Sequence, residues 1–543
     1  MPIIPGVQVS VVKEVVPPQL APSGVLGVVG LVEKIPAGAP GRASSWNRFV
    51  ELFGPGSAFS MPEARQALQN GVFEVVVSAI PGDAAGKASA TLQSGSANLA
   101  TLTARAPGSW ANGLTCKVSH RKKGDEVVGF DLEINRPDGK EVHRNLTVIP
   151  GLPTSLDNAL TGNSAVATGA WSTSPAWKTV SAKTIDSEGA TDAAKSAVLV
   201  DNAPVKVSLF ATAGKYRVSV NLDAGTLKIE TTTDGSTFTP LVDRSDVSGA
   251  ADLLRAVGSI GGLSVRTAGW PNEGTGALAG GADADRGAYG AALEKLRDEP
   301  DVDLVISAVQ DFGSPDRVSG IYSDVIAHCN NLSSDCKGRV GFGQAPASLD
   351  ASAATQFASA LVSDRFVLLS PSGVVGAVAG MIGGLPYFHS PTFKTIAGVG
   401  TLSKSLGVED QQTLLKGFVA PVATMRGRGT VVVRGVTTDG DQISVRRTAD
   451  RAVRGVRAIG EQFIGRLNNA DGRAALRAKI SEMLLQMQKD GALVPSTDGK
   501  DPAFKIDVYS SQADFAQGIV RVDIAVRPVR AIDFILATIL VQV

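Results

Sequence analysis

Apolar and polar positions alternate near the N-terminus, where Val7, Val9 and Val11 are separated by single polar residues. This period-two pattern is typical of a half-buried strand. Prolines at positions 2, 5, 17 and 18 flank the stretch and exclude a helix. The pattern therefore predicts an extended strand arm at the start of the chain.

A β–α–β unit is predicted directly after this arm. Residues 24–34 and 73–80 are predominantly apolar segments of the kind found in buried strands. Between them, residues 60–71 have a helical pattern, with Ser60 and Glu63 spaced as a capping box and Gly71 as the stop.

The pattern changes between about residues 85 and 270. Alternating segments separated by Gly, Asp and Asn predict antiparallel strands, and they lie at 114–122, 127–135, 215–222 and 225–239. We expect a sandwich or barrel-like insert here, with loops in the Ser, Thr and Ala-rich stretches 88–103 and 161–195.

Helices and buried strands then alternate as in a doubly wound, mostly parallel sheet. The predicted helices are 286–299, 316–331 and 354–364, and the predicted strands are 302–309, 339–345 and 365–370. Because this alternation of helices and buried strands matches that of residues 24–80, the segment between the two regions is interpreted as an insertion into one α/β domain.

Two amphipathic helices and two strands are predicted in the last part of the chain. The first apolar helical face comprises Val453, Val456, Ile459, Phe463, Ile464 and Leu467. The second comprises Leu476, Ile480, Met483, Leu484 and Met487, and Gly491 is the expected stop. Residues 519–526 alternate as a strand, and residues 531–543 form the last one.

The predicted fold class is a multidomain α/β (α+β) protein. It has a doubly wound α/β domain, an inserted antiparallel β-rich domain, a C-terminal α/β domain and extended strand arms at both termini. The expected boundaries are an N-terminal arm at 1–20, an α/β domain at 21–85 plus 271–390, an insert at 86–270, an inner domain at 391–518 and a C-terminal arm at 519–543.

Composition supports a folded chain and excludes some partners. The 543 residues are 43% hydrophobic and 19% charged, and the formal net charge is zero, so no global field draws the chain to nucleic acid or a membrane. No apolar run approaches the roughly 20 residues of a membrane helix, and the N-terminus has no secretion signal pattern. We expect no membrane insertion, no direct nucleic-acid binding, and folding in a cytoplasm.

The motifs of common enzymes are missing from the sequence. It has no phosphate-binding GxxxxGK[ST] loop, no complete dinucleotide fingerprint and no GxSxG nucleophile motif, and its four histidines are scattered. Asp283 and Asp285 suggest a cation loop, but Gly287 and Ala288 occupy positions where an EF-hand needs a ligand and a glycine. A turn and a helix start are favoured there. We expect no cofactor, no metal and no enzymatic activity.

Three cysteines, at positions 116, 329 and 336, have no zinc-binding spacing. Cys329 and Cys336 are close enough in sequence to pair under oxidation. Free thiols are the favoured interpretation for a protein assembled in a reducing compartment.

Basic residues are concentrated between positions 421 and 480, where twelve Lys or Arg face five acidic residues, a local net charge of +7. A solvated helix face balanced elsewhere in the fold explains this without a partner. The alternative is a docking face for an acidic protein surface. Nucleic acid is a weaker option because no stacking aromatic residues are interleaved with the arginines.

The two chain ends share one property: each is a strand whose edges need a partner. In the last strand, Ile535, Ala537, Ile539, Val541 and Val543 share one face, and the other face is also partly apolar. Unpaired strand edges promote aggregation. Either the two ends close a sheet within one chain, or each chain lends strands to its neighbours, which generates a filament if the exchange does not close.

Several segments resemble contractile tail sheath proteins. The matching stretches are PGVQVSVVKE (5–14), GVLGVVGLVEKIPAG (24–38), SWNRFVELFGPGS (45–57), LAGGADADRGAYGAALEKL (278–296), SPSGVVGAVAGM (370–381), LLKGFVAPVATMRGRGTVVVRGVTT (414–438), ISVRRTADRAVRGVRAIGEQFI (443–464) and MLLQMQKDGAL (483–493). They cover both ends and the α/β region, and the insert is unmatched. The chain departs from the family at Ala284, in LPYFHSPTFKTIAG (385–398) and in FVAPVA (418–423).

The resemblance implies a structural subunit of a myophage tail sheath or of a related phage-tail-like contractile injection particle, assembled in the bacterial host cytoplasm. Its partners would be copies of itself in a helical homopolymer, the inner tail tube protein, and the baseplate and tail terminator proteins. Contraction would drive the tube through a target envelope. The alternatives are an α/β nucleotide-binding enzyme with a β accessory domain, and a capsid or surface-layer protein.

The resemblance also assigns candidate site residues. The residues expected to exchange between subunits are Ile3, Ile4, Val7, Val9, Val11, Val520, Val522, Ile524, Val526, Phe534, Ile535, Ile539 and Val541. Arg447, Arg451, Arg454 and Arg457 are the candidate contacts to the tube. The insert is expected to lie outermost.

Overall fold

The computed structural model describes residues 23–38, 40–136 and 139–533. In the first region, the apolar runs form strands and the segment between them forms helices. The elements are β1 (Val25–Leu31), β2 (Gly41–Ala43), α1 (Trp46–Phe53), α2 (Ser57–Ser60), α3 (Pro62–Gln69) and β3 (Glu74–Ile80). Strands β1 and β3 pair in parallel over their full length, so the predicted β–α–β unit is confirmed.

The helix of this unit does not begin with the predicted capping box. Residue 61 is the N-cap of α3, and no side chain caps the helix. The Ser60 hydroxyl instead donates to the main-chain oxygen of Leu31 at 2.8 Å, and Glu63 is buried. The capping prediction was wrong because β1, which is distant in sequence, supplies a competing acceptor.

The middle region is rich in antiparallel strands. Its elements are β4 (Ser89–Ser94), β5 (Ala97–Ala104), β6 (Thr115–Lys123), β7 (Glu126–Arg136), β8 (Gly139–Leu146), α4 (Leu156–Asn163), β9 (Ala167–Trp171), β10 (Val180–Asp186), α5 (Asp192–Lys195), β11 (Ser196–Asn202), β12 (Val205–Ala211), β13 (Lys215–Asn221), β14 (Thr226–Thr232), β15 (Thr239–Arg244), α6 (Ala250–Gly258), β16 (Leu263–Ala268) and β17 (Gly274–Ala277). They form sheets in the orders β4-β5-β9, β17-β6-β7-β8, β10-β13-β14-β15 and β11-β12-β16.

The loop prediction for this region was wrong. Both Ser, Thr and Ala-rich stretches contain strands, namely β4 and β5 in the first and β9 and β10 in the second. Small residues have a weak strand preference of their own, but here Leu92, Leu99 and Leu102 are buried and the neighbouring strands supply hydrogen-bond partners.

Helices and strands alternate again after β17. The elements are α7 (Arg286–Lys295), β18 (Leu304–Ser307), α8 (Pro315–Ser334), β19 (Val340–Gln344), α9 (Ala351–Ser359), β20 (Phe366–Ser370), α10 (Val375–Gly384), α11 (Val408–Lys416), β21 (Ala420–Met425) and β22 (Gly429–Val432). Together with the first region they build an eight-stranded sheet, in the order β2-β3-β1-β18-β19-β20-β21-β22. The six inner strands are parallel, and β2 and β22 are antiparallel edges.

Helices cover both faces of this sheet. On one face α1, α3 and α10 contribute Phe49, Ala67 and Val378 to the core, and on the other α7, α8 and α9 contribute Tyr289, Ile321 and Ala354. The sheet is therefore doubly wound, as predicted. The positions of β21 and β22 in it lie beyond the expected boundary at residue 390, and the division into domains stays a prediction.

The last region packs two helices against a hairpin. Its elements are α12 (Ile443–Glu461), α13 (Ala470–Lys489), β23 (Phe504–Tyr509), α14 (Gln512–Ala516) and β24 (Arg521–Val526). The predicted faces of α12 and α13 meet through Ile459, Ile480 and Leu484. Because α12 ends at Glu461, Ile464 and Leu467 lie beyond the helix and are exposed, which corrects their predicted place on its apolar face.

Candidate intersubunit surface

The hairpin β23–β24 is a two-stranded sheet with one buried face. Its strands pair antiparallel, with Ile506 opposite Ile524. The inner face carries Val522, Ile524 and Val526, three of the predicted exchange residues, and it packs against the α13 core with Val520. In the described part of the chain neither outer edge of the hairpin has a strand beside it. Both edges can therefore accept a further strand.

The other predicted exchange residues lie outside the described residues. These are Ile3, Ile4, Val7, Val9 and Val11 at the N-terminus and Phe534, Ile535, Ile539 and Val541 at the C-terminus. Their pairing in strands stays a prediction.

The end of the hairpin is held by one buried carboxylate. Arg521 donates to both oxygens of Asp514, at 2.9 and 2.8 Å, and the Ser511 hydroxyl donates to the same side chain at 2.7 Å. The Arg521 contact, followed by the Ser511 contact, holds the Asp514 pKa well below its usual range. These contacts fix the connection between β23 and β24.

Residues 530–533, which follow β24, are held by hydrogen bonds and ion pairs to residues 434–442. Gln442 exchanges two hydrogen bonds with the main chain of Ala531, at 2.9 and 3.0 Å, and its amide also donates to Asp533 at 2.8 Å. Arg434 donates to the same Asp533 carboxylate at 2.9 Å, and Arg530 pairs with Asp441. These contacts hold residues 530–533 in place. Sequence reasoning missed Gln442 and Asp533, for which no motif provides a signal.

The basic residues of α12 contact the edge of the main sheet. Arg454 donates to the main-chain oxygens of Val302 and Gly338, at 2.6 and 2.7 Å, where the chain enters β18 and β19. Arg457 donates to Asp335 O at 2.6 Å. Arg447 is buried and donates to Ile382 O at 2.6 Å, and burial lowers its pKa.

These contacts explain much of the local basic excess without a partner. Arg451 lies over the ring of Tyr387, and burial lowers its pKa as well. Arg447 is not on the surface of the chain. Contact of Arg451, Arg454 and Arg457 with an inner tube stays a prediction.

A buried ion pair joins α12 to β20. Arg365 donates to both oxygens of Asp450, at 2.9 and 3.0 Å, and Arg446 donates to one of them at 3.0 Å. Arg446 also reaches the more exposed Asp364. Because Arg365 is buried and Asp450 is the carboxylate that pairs with it, removing Asp450 leaves the Arg365 charge without compensation. The C-terminal region is thus fastened to the main sheet.

Cys329 and Cys336 are free thiols in the structure, and the alternative of a disulfide between them is not formed there. Burial raises the pKa of Cys329 to about 12, so this thiol is poorly reactive.

The carboxyl ends of the parallel strands are where α/β proteins usually bind ligands. Here Asp283 occupies that edge, accepting hydrogen bonds from the amides of Gln310 and Asp311 and from Arg317, all at 3.0 Å. Asp285 caps α7 through Ala288 N, so the predicted helix start is confirmed. In the described residues, no group of three His, Cys, Asp or Glu side chains is arranged to hold a metal. Nor does any helix described combine the length and hydropathy needed to cross a bilayer.

Known structures provide similarities at low identity. The sheath tail protein from Listeria innocua is 13% identical, with a TM-score of 0.45 over 94% of this chain and 93% of that chain. The sheath tail protein from Desulfitobacterium hafniense is 12% identical, with a TM-score of 0.43 over 92% and 93%. The contracted helical sheath of the anti-feeding prophage is 19% identical, with a TM-score of 0.39 over 48% of this chain and 74% of that chain.

A comparison with curated proteins finds no match. Among family models, the phage tail sheath C-terminal domain matches residues 436–542. This span contains α12, α13, the β23–β24 hairpin and residues 530–533. The resemblance seen in the sequence motifs is thereby confirmed for residues 436–542, which are similar to the phage tail sheath C-terminal domain.

Proposed function

We propose that this chain is the structural subunit of a contractile tail sheath, which polymerises helically around an inner tube and contracts to drive that tube through a target envelope. The observation that carries the proposal is the match of residues 436–542 to the sheath C-terminal domain, whose hairpin has both edges unpaired among the described residues.

Subunits are joined by strand exchange in this proposal. Residues 3–12 of one copy and 534–542 of another add to the edges of the β23–β24 hairpin in a third. The packing of the hairpin supports this, because α13 covers its inner face and leaves the edges as the places where the sheet can grow. Each added strand brings about six main-chain hydrogen bonds, each worth roughly 0.5–1.5 kcal/mol net.

The contacts of α12 support movement of the C-terminal region together with the main sheet. Arg454 binds the main-chain oxygens that precede β18 and β19, and the buried pair of Arg365 and Asp450 adds a link to β20. During a contraction that rotates subunits while the exchanged strands stay paired, the C-terminal region and the main sheet of each subunit then move as one rigid unit.

The remaining parts of the proposal concern partners and location. The inner face of the sheath, formed from residues 391–518, contacts the tube protein, and the ends of the polymer contact baseplate and tail terminator proteins. The insert, residues 86–270, lies outermost. The assembled protein is part of a virion tail or of a phage-tail-like particle built in the host cytoplasm.

The experiment is negative-stain microscopy of the purified chain and of a variant in which residues 534–543 are replaced by ten Gly and Ser residues. The replacement starts at 534 because residues 530–533 are held by Gln442 and Asp441. We expect hollow striated tubes from the natural chain and discrete monomers, with an unchanged circular dichroism spectrum, from the variant.

Small particles from the natural chain at every concentration would contradict the proposal. Loss of the folded spectrum in the variant would show that the last strand belongs to its own subunit, and strand exchange would then be wrong.

A further inference from the structure

An exposed apolar patch lies at the end of the hairpin. We define the tip patch as Ile464, Leu467, Phe515 and Ile519, whose exposed fractions are 80%, 80%, 58% and 38%. The first two lie in the turn after α12, and the other two lie in the connection between β23 and β24. Asn468 holds the two parts together, donating to Ser510 Oγ at 3.2 Å and to Ile519 O at 3.5 Å. The patch is therefore one surface.

Basic side chains border the tip patch. Arg466 lies over the ring of Phe463 at 4.5 Å, and Arg473 donates to Asn468 Oδ1 at 2.8 Å. In the part of the chain that the structure describes, neither guanidinium forms an ion pair. An apolar surface with a positive border fits a partner that is apolar at its centre and negatively charged around it.

The outer face of the β23–β24 hairpin carries acidic residues. Asp507 and Asp523 lie directly opposite each other across the strands, on the exposed face. Like charges in this position destabilise a hairpin. The basic residues on the same face pair with other carboxylates as well, since Lys505 pairs with Asp501 and Arg521, whose charge also acts on Asp523, pairs with Asp514.

The hydroxyl group of Tyr509 is a hydrogen-bond donor next to these two carboxylates. A hydrogen bond to Asp523 raises the pKa of Tyr509, which keeps the phenol protonated as a donor. Beside the two carboxylates the outer face carries the ring of Tyr509 and the methyl group of Ala525, both exposed. This face thus presents two adjacent carboxylates with apolar groups next to them.

We infer that the tip patch of one copy of the chain binds the outer face of the β23–β24 hairpin of a second copy. The inference rests on the proposed function, which brings copies together through the same hairpin. The end of a rigid hairpin does not reach its own outer face, so the contact joins different copies. It is heterologous, with two different surfaces meeting, and such contacts propagate into open filaments.

This contact leaves strand exchange undisturbed. Added strands use the edges of the hairpin, whereas the tip patch uses its outer face. Arg466 and Arg473 of one copy would face Asp507 and Asp523 of the next, so the contact weakens with added salt. One interface thereby accounts for two surface features, the exposed apolar tip and the pair of carboxylates on the outer face.

The first test is charge reversal. Arg466→Glu and Asp507→Lys are made singly and together, and the critical concentration for polymerisation is measured by sedimentation at low salt. Each single variant should raise that concentration about tenfold, and the double variant should restore it to within about threefold of the natural value. Arg428→Glu, in the turn between β21 and β22, is the matched control and should change nothing.

The second test is a cross-link between copies. Leu467→Cys and Ala525→Cys chains carrying different affinity tags are mixed and oxidised, and the bond is located by mass spectrometry. A heterodimer should form through positions 467 and 525. It should be missing when Val408→Cys, which is 70% exposed but distant in the fold, replaces the first variant.

The outcomes separate the two proposals. Polymers that form at the natural concentration in both single variants would overturn the tip contact, while loss of polymers on replacing residues 534–543 would leave strand exchange standing. A double variant no better than the single ones would also overturn it. A natural chain that never polymerises would overturn both.

Discussion

Replacing Glu63 with glutamine should stabilise the α/β sheet at alkaline pH and change little in acid. Glu63 lies in the first turn of α3, buried against α10, where a side chain at Gly376 would clash with the main chain of Glu63. Its Oε2 atom has no hydrogen-bond partner among the described residues. Burial, together with the negative charge of Asp283, raises its pKa from 4.5 to about 7.

The direction in which the free energy of unfolding changes with pH follows from the number of protons bound in the folded and unfolded states. The folded chain holds the Glu63 proton up to about pH 7, while the unfolded chain releases it near pH 4.5. Between these values the folded state binds more protons, so stability falls as pH rises. At 1.36 kcal/mol per pH unit, the full penalty is about 3 kcal/mol at pH 8 and under roughly 1 kcal/mol at pH 5. Glutamine, which resembles the protonated acid in shape, removes this penalty.

The assay is urea unfolding at pH 5 and pH 8, followed by hydrogen–deuterium exchange of peptides from α3. It uses chains with residues 534–543 replaced, so that assembly does not contribute. Glu51→Gln is the matched control, because Glu51 is exposed on the neighbouring α1 and pairs with the exposed Arg48. An equal gain from Glu63→Gln at both pH values, or no gain at pH 8, would refute the reasoning.

Two further predictions concern buried groups. Asp450→Asn should cost about 3–5 kcal/mol in urea unfolding because it leaves the buried charge of Arg365 uncompensated, whereas Asp364→Asn, in a half-exposed pair, should cost under about 1 kcal/mol. Equal losses would show that burial does not determine the value of these pairs. Iodoacetamide at pH 8 should modify the part-exposed Cys336 in the folded chain and reach Cys329 only after unfolding, as followed by mass spectrometry. Equal labelling rates would contradict the assigned burial.

Much of the main sheet was predictable from the sequence. Apolar runs and helical periods depend on residues a few positions apart, and they placed β1, β3 and α8 within a few residues of their observed positions. The stop of α13 at Gly491 followed from the same local chemistry, since this residue has a positive φ of 82°. Where neighbouring strands decide the outcome, as for β4 and β5, the sequence pattern failed.

The candidate surface was less predictable. The alternation of Val522, Ile524 and Val526 identified the hairpin strand and its inner face correctly. Charge counting identified the basic stretch but did not reveal that Arg447 and Arg454 contact main-chain oxygens within the chain. A count of charges contains no information about which acceptors lie nearby in space.

The exposed tip could not be predicted from periodicity. Ile464 and Leu467 continue the apolar face of α12 in sequence, and only the end of the helix at Glu461 turns them outward. Helix ends depend on the packing of the following segment, which here crosses to α13 within eight residues.

The sequence by itself determined the alternation of strands and helices, the two amphipathic helices before the hairpin, and the resemblance to sheath proteins, because each is written in short stretches of chain. The tertiary structure alone decided which polar groups are used inside the subunit and which stay available to a partner. Arg454 meets Val302 across 152 positions, and Arg365 meets Asp450 across 85. Hydrogen bonds and burial depend on neighbours in space, and long-range folding brings those neighbours together.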